Sequence, residues 1–176
     1  RYNTTTGYKF VMSVMKKEPF GQRIIRDIKM SDAKLWFIKL YDDGYSYSTI
    51  ASIRGVVKPA FQMAYTEDII RRNPFEFRLD IIPNNTQKRV ALSQKQQEQF
   101  LEFTKNDKHF CRYLDEIKIL LGTGMRISEL CGLTIADLDF DRRRIRVDHQ
   151  LVRTQDGKRY IEKTKTECGC RYIPMS

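Results

Sequence analysis

The sequence is poor in the residues that bind metal ions or form crosslinks. Its 176 residues include four cysteines and two histidines. Only Cys168 and Cys170 lie close together, no CxxC pair occurs, and His109 and His149 do not have the spacing of zinc ligands. We therefore predict no metal site, and we expect reduced thiols in a cytoplasmic protein.

Long hydrophobic stretches are also missing. No apolar run approaches the ~18 residues of a membrane span, and no signal peptide is visible. Hydrophobic residues nevertheless make up 41% of the chain, which is enough for the core of one medium domain or two small ones.

Positive charge is what the sequence has in excess. Lysine and arginine number 32 against 22 acidic residues, for a net charge of +10. Residues 1–84 carry 14 basic and 9 acidic residues, and residues 85–176 carry 18 and 13. A basic surface gains affinity for nucleic acid by displacing the counterions of the phosphates. Charge therefore favours a polyanionic partner for both halves, although an ordinary basic protein has the same composition.

The first 79 residues have apolar positions at the spacing of helices. Four helices are predicted there, beginning near Thr4–Thr6, at Ser31–Asp32, at Ser48 and around Ile69–Ile70. The third has an apolar stripe, and Arg54 and Lys58 lie off it, so we expect both to be exposed. Pro59 removes a helical hydrogen bond at a cost of ~3 kcal/mol. Either this helix kinks at Pro59 or two helices meet there.

A polar stretch at residues 80–90 is typical of a linker. Residues 91–133 then have three helical segments, and residues 144–175 alternate as strands do, with a hairpin turn at Asp156-Gly157. The layout predicts an α+β chain. It has an all-helical domain at residues 1–79 and a mainly helical domain with a small antiparallel sheet at residues 91–176.

The most informative segment runs from Gly122 to Leu133. Two glycines precede Arg126, and an apolar face of a helix follows it. This pattern predicts a buried helix start from which the planar guanidinium of Arg126 reaches a pair of phosphate oxygens. Glu129, one turn later, is positioned to hold the arginine. The alternative is an ordinary helix start with a surface Arg–Glu pair that contributes little.

A second basic segment runs from Lys163 to Pro174. A lysine at the tip of a hairpin can meet a phosphate, and it can also donate a proton to a leaving alkoxide. Most lysine-rich turns are simply solvated, so these residues alone leave both interpretations open.

Three stretches of the chain resemble tyrosine recombinases, most closely the integrases of conjugative transposons and related phage integrases. The run TGMRISELCGLTIADLDFDRRRI (residues 123–145) is similar to the segment that opens their catalytic domain. KTKTECGCRYIPM (residues 163–175) resembles their β-hairpin, and residues 4–77, with the exit Asn73-Pro74-Phe75, resemble their helical, SAM-like core-binding domain. The resemblance covers about residues 4–175, and Arg126 with its Ser-Glu-Leu context is its specific part.

The resemblance implies roles for individual residues. Arg126 matches the first catalytic arginine, which grips the scissile phosphate, and Glu129 matches the acidic residue that supports the site. Lys165 matches the hairpin lysine that protonates the leaving 5′-hydroxyl. Lys163 is a rival for this role and otherwise a DNA contact, because the sequence does not fix the hairpin register. The family's reaction proceeds through a phosphotyrosine and uses no metal or cofactor.

Other parts of the family's pattern do not occur before Ser176. These are a His-x-x-Arg motif, a second His or Trp and the nucleophilic tyrosine, and Tyr160 and Tyr172 lie upstream of its place. The amino-terminal arm-binding domain is not found either. The chain also begins at Arg1 rather than Met. We therefore expect a piece of a longer enzyme that is inactive alone.

The implied function is site-specific integration of a mobile element, with the chain binding double-stranded DNA as part of a tetramer on paired sites. The two domains are expected to clamp the duplex, and the first is expected to contact its backbone through Arg54, Lys58, Arg71 and Arg72. One alternative is a non-catalytic, regulatory DNA-binding fragment. Another is a basic helical adaptor for proteins, which needs a large exposed apolar patch that the sequence does not indicate.

Overall fold

The computed structural model describes residues 2–164 and 166–175 of the chain. These residues form two compact units, the first ending at Arg89 and the second beginning at Val90. Helices dominate the first unit, and the second combines helices with two small antiparallel sheets. The mixture of helices and small antiparallel sheets agrees with the predicted fold class.

Three α-helices build the first unit, namely α1 (Tyr2–Lys17), α2 (Met30–Asp42) and α3 (Tyr47–Thr66). Short 3-10 turns at Pro19–Gln22, Ile25–Asp27 and Leu79–Ile81 connect and follow them. The core face of α1 consists of Val11 and Val14, whereas Tyr8 and Met12 are exposed. The apolar spacing predicted this helix correctly.

An aromatic cluster forms the core of this unit. Phe75 is fully buried at its centre, and its ring contacts those of Phe20, Trp36, Phe37 and Phe61. A buried asparagine holds the segment that delivers this ring. Asn73 donates from Nδ2 to the carbonyl of Lys58 on α3, and its Oδ1 accepts from the backbone N–H of Phe75. The Asn73-Pro74-Phe75 exit is therefore part of the core.

The structure corrects three details of the predicted helices. Two helices do not meet at Pro59, because α3 runs through the proline as one helix with buried side chains before and after it. Ser46 rather than Ser48 caps α3, since its hydroxyl accepts from the backbone N–H of Thr49. The helix predicted around Ile69–Ile70 is absent from this described stretch. The backbone turns there, with Asp68 at a φ of 54°.

The predicted linker at residues 80–90 begins inside the first unit. Leu79 and Ile82 are both buried in its core. From Pro83 to Arg89 the side chains are exposed, as the polar composition indicates. The first residues of the stretch therefore belong to the first unit, because the burial of Leu79 and Ile82 holds the chain against its core up to residue 82.

The second unit contains α4 (Gln94–Asn106), α5 (Leu114–Thr123) and α6 (Ile127–Leu130), with 3-10 turns at Cys111–Tyr113, Ile135–Asp137 and Glu167–Gly169. Ser93 caps α4 by accepting from the backbone N–H of Gln96. Gly124, with a φ of 64°, ends α5 in the left-handed conformation that glycine adopts without strain. Only two residues then separate this turn from the start of α6.

Five strands complete the unit: β1 (Leu138–Asp139), β2 (Arg144–Val147), β3 (His149–Arg153), β4 (Arg159–Lys163) and β5 (Arg171–Pro174). One sheet has the order β1-β2-β5, and β3 and β4 form a separate hairpin. Ile145 and Val147 of β2 are buried with Met125 in the small core. The antiparallel register sets Val147 opposite Arg171 and His149 opposite Lys163.

Within the described residues, no helix combines the length and the apolar character needed to cross a membrane.

Candidate functional site

Arg126 occupies the N-cap position of α6. Its backbone is extended, and its N–H donates to Oε2 of Glu129 at 2.9 Å. Its guanidinium donates from Nη1 to Oε1 of the same carboxylate at 2.7 Å. The spacing of three residues allows both contacts, because it matches the reciprocal cap in which a side chain returns to the start of its helix. Glu129 therefore binds Arg126 as the sequence predicts.

Glu129 is buried, with only 2% of its side chain exposed. A second arginine, Arg171 on β5, binds its carboxylate with Nη2 2.8 Å from Oε2 and Nη1 3.3 Å from Oε1. Each carboxylate oxygen thus accepts two hydrogen bonds. The bonds from Arg171 and then those from Arg126 lower the pKa of Glu129 to about 2 against the opposing effect of burial. Glu129 is ionised at neutral pH.

The Arg126 side chain remains open to solvent although Nη1 is fixed. It is 71% exposed, in contrast to the buried carboxylate beneath it. The remaining N–H groups of a guanidinium lie in one plane and suit the oxygens of a phosphate. Glu129 thus holds Nη1 of the guanidinium, and the exposed remainder of the group is accessible to an anion.

The basic segment after β4 closes on itself close to Arg171. The hydroxyl of Thr164 and the N–H of Gly169 both donate to the carbonyl of Thr166, at 3.3 and 2.9 Å. A Cβ on Gly169 would lie only 2.7 Å from Cβ of Thr164, so this approach requires glycine. Lys165 lies outside the described residues. Lys163 is exposed at the end of β4.

Asp137, Arg146 and His149 form a second ionic cluster, in which only the Asp137 carboxylate is buried. Asp137 accepts from the Thr134 hydroxyl at 2.7 Å and from Nη2 of Arg146 at 3.0 Å. His149 has Nδ1 2.6 Å from the Asp148 carboxylate and Nε2 2.7 Å from the Gly132 carbonyl. These two acceptors, Asp148 first, raise the pKa of His149. An imidazolium can donate to both partners, whereas a neutral ring can donate to only one.

The same cluster contains three potential metal ligands, Asp137, Asp148 and His149. The guanidinium of Arg146 lies 3.0 Å from the Asp137 carboxylate and 3.5 Å from that of Asp148. The Arg146 guanidinium contacts both carboxylates, and the His149 ring contacts Asp148 and the Gly132 carbonyl. These contacts form an ion-pair network that ties β3 to the residues that follow α6.

Arg54 is not exposed as predicted. Its Nη2 donates to the carbonyls of Phe75 and Phe77, and its guanidinium packs over the Phe77 ring. These contacts turn the side chain away from solvent and onto the segment that follows α3. The structure thus corrects the expected exposure of Arg54, and its contact with DNA stays a prediction.

The other basic residues singled out in the first unit differ in exposure, and Lys58 is half-buried as Arg54 is. Lys58 binds Glu76 at 2.8 Å in a surface ion pair, which contributes little and is easily exchanged for another anion. Arg71 and Arg72 are exposed in the turn after α3. Two of the four predicted DNA contacts in this unit, Arg71 and Arg72, are therefore exposed, whereas Arg54 and Lys58 are half-buried.

Sequence reasoning missed Arg171, His149 and Asp137. Arg171 is 42 residues from Glu129, and no periodic pattern connects them. Asp137 had a detectable signal, because Thr134-x-x-Asp137 has the spacing of a capping box, and both contacts of that box are present. His149 is the first residue of β3, and no local sequence motif indicates its contacts.

Comparisons with known proteins find similarity over almost the whole chain. Residues 91–176 match the model of the phage integrase family. Transposases from transposon Tn916 of Enterococcus faecalis and transposon Tn1545 of Streptococcus pneumoniae are each 44% identical to the chain over 176 residues. These alignments cover 99% of the chain and 44% of each transposase. The chain therefore spans less than half the length of these relatives.

A solved structure is also similar over the whole chain. It is that of the Tn1549 transposon integrase in complex with a circular intermediate DNA, with a TM-score of 0.94 and 43% identity. The match covers 100% of this chain and 56% of that one. The tyrosine recombinase XerC of Bacillus subtilis is 28% identical over 145 residues.

Proposed function

Because the chain belongs to the phage integrase family of tyrosine recombinases, we propose that it supplies DNA binding and part of the active site for site-specific recombination of a mobile element. The observation that carries this proposal is the exposed Arg126 guanidinium held by the buried Glu129 carboxylate. A recombinase needs such a group, because negative charge develops on the phosphate oxygens during strand cleavage.

The proposed reaction exchanges one phosphoester for another. A tyrosine hydroxyl attacks a DNA phosphodiester, a 3′-phosphotyrosyl bond forms, and the bond to the 5′-oxygen breaks. A 5′-hydroxyl of another strand later attacks the phosphotyrosine and restores the diester and the free tyrosine. Arg126 binds the phosphate in both steps, Glu129 holds Arg126, and Lys165 protonates the leaving 5′-oxygen. No tyrosine of this chain is assigned as the nucleophile.

The helical first unit acts as the core-binding domain and grips the DNA backbone through Lys58, Arg71 and Arg72. Both units contact the same duplex, joined by the exposed stretch that ends at Arg89, and Lys163 adds a contact from the second. In the recombination complex four copies bind two DNA sites in the cytoplasm. The nearly even distribution of basic residues along the chain supports this model.

Affinity of the chain for duplex DNA should fall steeply with salt. We expect log Kd to rise linearly with log salt, with a slope of roughly 0.9 per phosphate neutralised. Fluorescence anisotropy of a labelled duplex between about 50 and 200 mM salt measures it. Arg71→Gln and Arg72→Gln should each reduce the slope by about one. Arg23→Gln removes the same charge from an ion pair with Asp32 and serves as control. A slope near zero for the wild type would contradict DNA binding through phosphates.

The two lysines of the hairpin should differ in their effect on cleavage. In the complete recombinase, Lys165→Ala should slow strand cleavage by roughly 10²–10⁴-fold, the usual contribution of a general acid. Lys163→Ala should mainly weaken DNA binding. A DNA substrate with a 5′-phosphorothiolate at the cleavage site needs no proton on its leaving sulfur, so it should restore the rate of Lys165→Ala. The reverse order of the two variants would assign the proton donor to Lys163.

A further inference from the structure

We propose that Arg171 is a positioning residue of the recombinase, which fixes Glu129, and through it Arg126, while joining both to the segment that contains Lys165. This inference rests on the proposed function and deepens it. Arg171 has no assigned part in the reaction. Three features of its surroundings carry the inference.

The first feature is the double contact between Arg171 and the buried carboxylate. Nη1 and Nη2 of Arg171 reach different oxygens of Glu129, and these are the same oxygens that Arg126 uses. A parallel pair of bonds fixes the plane of the carboxylate, which a single bond leaves free to rotate. Because the two contacts of Arg126 depend on that plane, Arg171 determines where the Arg126 guanidinium lies.

The second feature is the difference in stability between the two elements that carry these groups. Helix α6 has only four residues, so it has little stability of its own. Arg171 instead belongs to β5, where it pairs with the buried Val147 of β2. The contact between Arg171 and Glu129 therefore joins the short helix α6 to the sheet. The position of β5 thus fixes the position of Glu129.

The third feature links the guanidinium to the lysine-bearing segment. Nη1 of Arg171 also donates to the carbonyl of Gly169 at 3.2 Å. Gly169 lies directly against Thr164, which precedes Lys165 in the chain. One side chain thus contacts both the support of Arg126 and the segment that contains the proposed proton donor, and it can keep the two in register.

The balance of charge explains why two arginines share one carboxylate. Arg126, Arg171 and Glu129 together carry one net positive charge, which remains available for a phosphate. Arg171 is only 31% exposed and its donors point to Glu129 and Gly169, whereas Arg126 is largely exposed. Arg126 therefore touches the substrate, and Arg171 acts through it.

Arg171→Gln in the complete recombinase tests the inference. We expect the single-turnover cleavage rate at saturating DNA to fall roughly 10–100-fold. Enzymes lose activity by a similar factor when a residue that orients a metal ligand is removed, and Arg171 orients Glu129 in the same indirect way. DNA affinity should stay within about threefold, because the phosphate contacts remain. Arg171→Lys keeps the charge but not the paired bonds, so its cleavage rate should lie between those of the wild type and Arg171→Gln.

Arg146→Gln is the matched control. Arg146 lies on the neighbouring strand β2 and binds the buried Asp137, so its loss removes a comparable ion pair from the same sheet. It does not reach Glu129 in the described structure. We expect Arg146→Gln to lower stability without the loss of cleavage at saturating DNA. Equal losses in Arg146→Gln and Arg171→Gln would reduce Arg171 to a structural role and overturn the inference.

A measurement on the 176-residue chain separates this inference from the proposed function. In a carbon-13 NMR titration, the pKa of Glu129 should rise in Arg171→Gln from about 2 toward the ordinary glutamate value of about 4.3. It should stay low in Arg146→Gln. An unchanged pKa of Glu129 in Arg171→Gln overturns the inference, irrespective of the cleavage rates. A wild-type enzyme that cleaves no DNA contradicts only the proposed function. If Arg171→Gln does not fold, a wild-type cleavage rate and a wild-type Glu129 pKa in Arg171→Lys overturn it.

Discussion

Arg126→Lys is expected to remove most strand cleavage by the complete recombinase while leaving its DNA affinity almost unchanged. A lysine keeps the charge, but its compact ammonium cannot both bind Oε1 of Glu129 and offer a planar edge to the phosphate. Loss of one preorganised donor to a developing oxyanion typically lowers kcat by ~10²–10³-fold. Because the affinity depends on many phosphate contacts, the loss of a single edge changes it little.

Single-turnover cleavage of a nicked DNA substrate at saturating enzyme measures this effect, with anisotropy giving Kd in parallel. Arg112→Lys is a suitable control, because Arg112 is an exposed arginine of the same unit. Its Nε donates to the backbone carbonyl of His109. Cleavage by Arg126→Lys at the wild-type rate would refute the assignment of Arg126 to the scissile phosphate. An equal fall in affinity and rate would make Arg126 a simple DNA contact.

The local half of the candidate site could be predicted from the sequence. Arg126 and Glu129 are three residues apart, and this spacing on one helix start allows only a few arrangements. Arg171 could not be found in this way, because its contact with Glu129 spans 42 residues and depends on the pairing of β5 with β2. Sequence periodicity predicts that a strand exists, but it does not identify its neighbour.

The fold was predictable to a similar degree. Apolar spacing predicted α1, α2 and α3 but also a helix around Ile69–Ile70 that is absent from the described residues. The Asp156-Gly157 turn predicted the β3–β4 hairpin. Exposure of single residues was harder to predict. Arg54 lies off the apolar stripe of α3, yet its long side chain turns back to two carbonyls and the Phe77 ring. A charged group at the edge of a stripe can satisfy buried acceptors as readily as it can face solvent.

The core of the first unit should depend heavily on one aromatic side chain. Phe75→Ala is expected to lower the free energy of unfolding of this unit by about 3–5 kcal/mol, the usual cost of removing a buried phenylalanine ring. Phe75 is fully buried, and four other aromatic rings contact it, so the neighbours have little freedom to collapse into the space. Phe75→Leu keeps most of the volume and should cost less than about 1.5 kcal/mol.

Urea unfolding followed by tryptophan fluorescence isolates this unit, because Trp36 is the single tryptophan of the chain and lies 6.3 Å from Phe75. Phe10→Ala is the matched control, since Phe10 is an exposed phenylalanine of the same unit and should change stability by less than about 0.5 kcal/mol. A cost below about 1 kcal/mol for Phe75→Ala would mean that the cluster repacks. A large loss of stability would establish that the Asn73-Pro74-Phe75 segment stabilises the first unit.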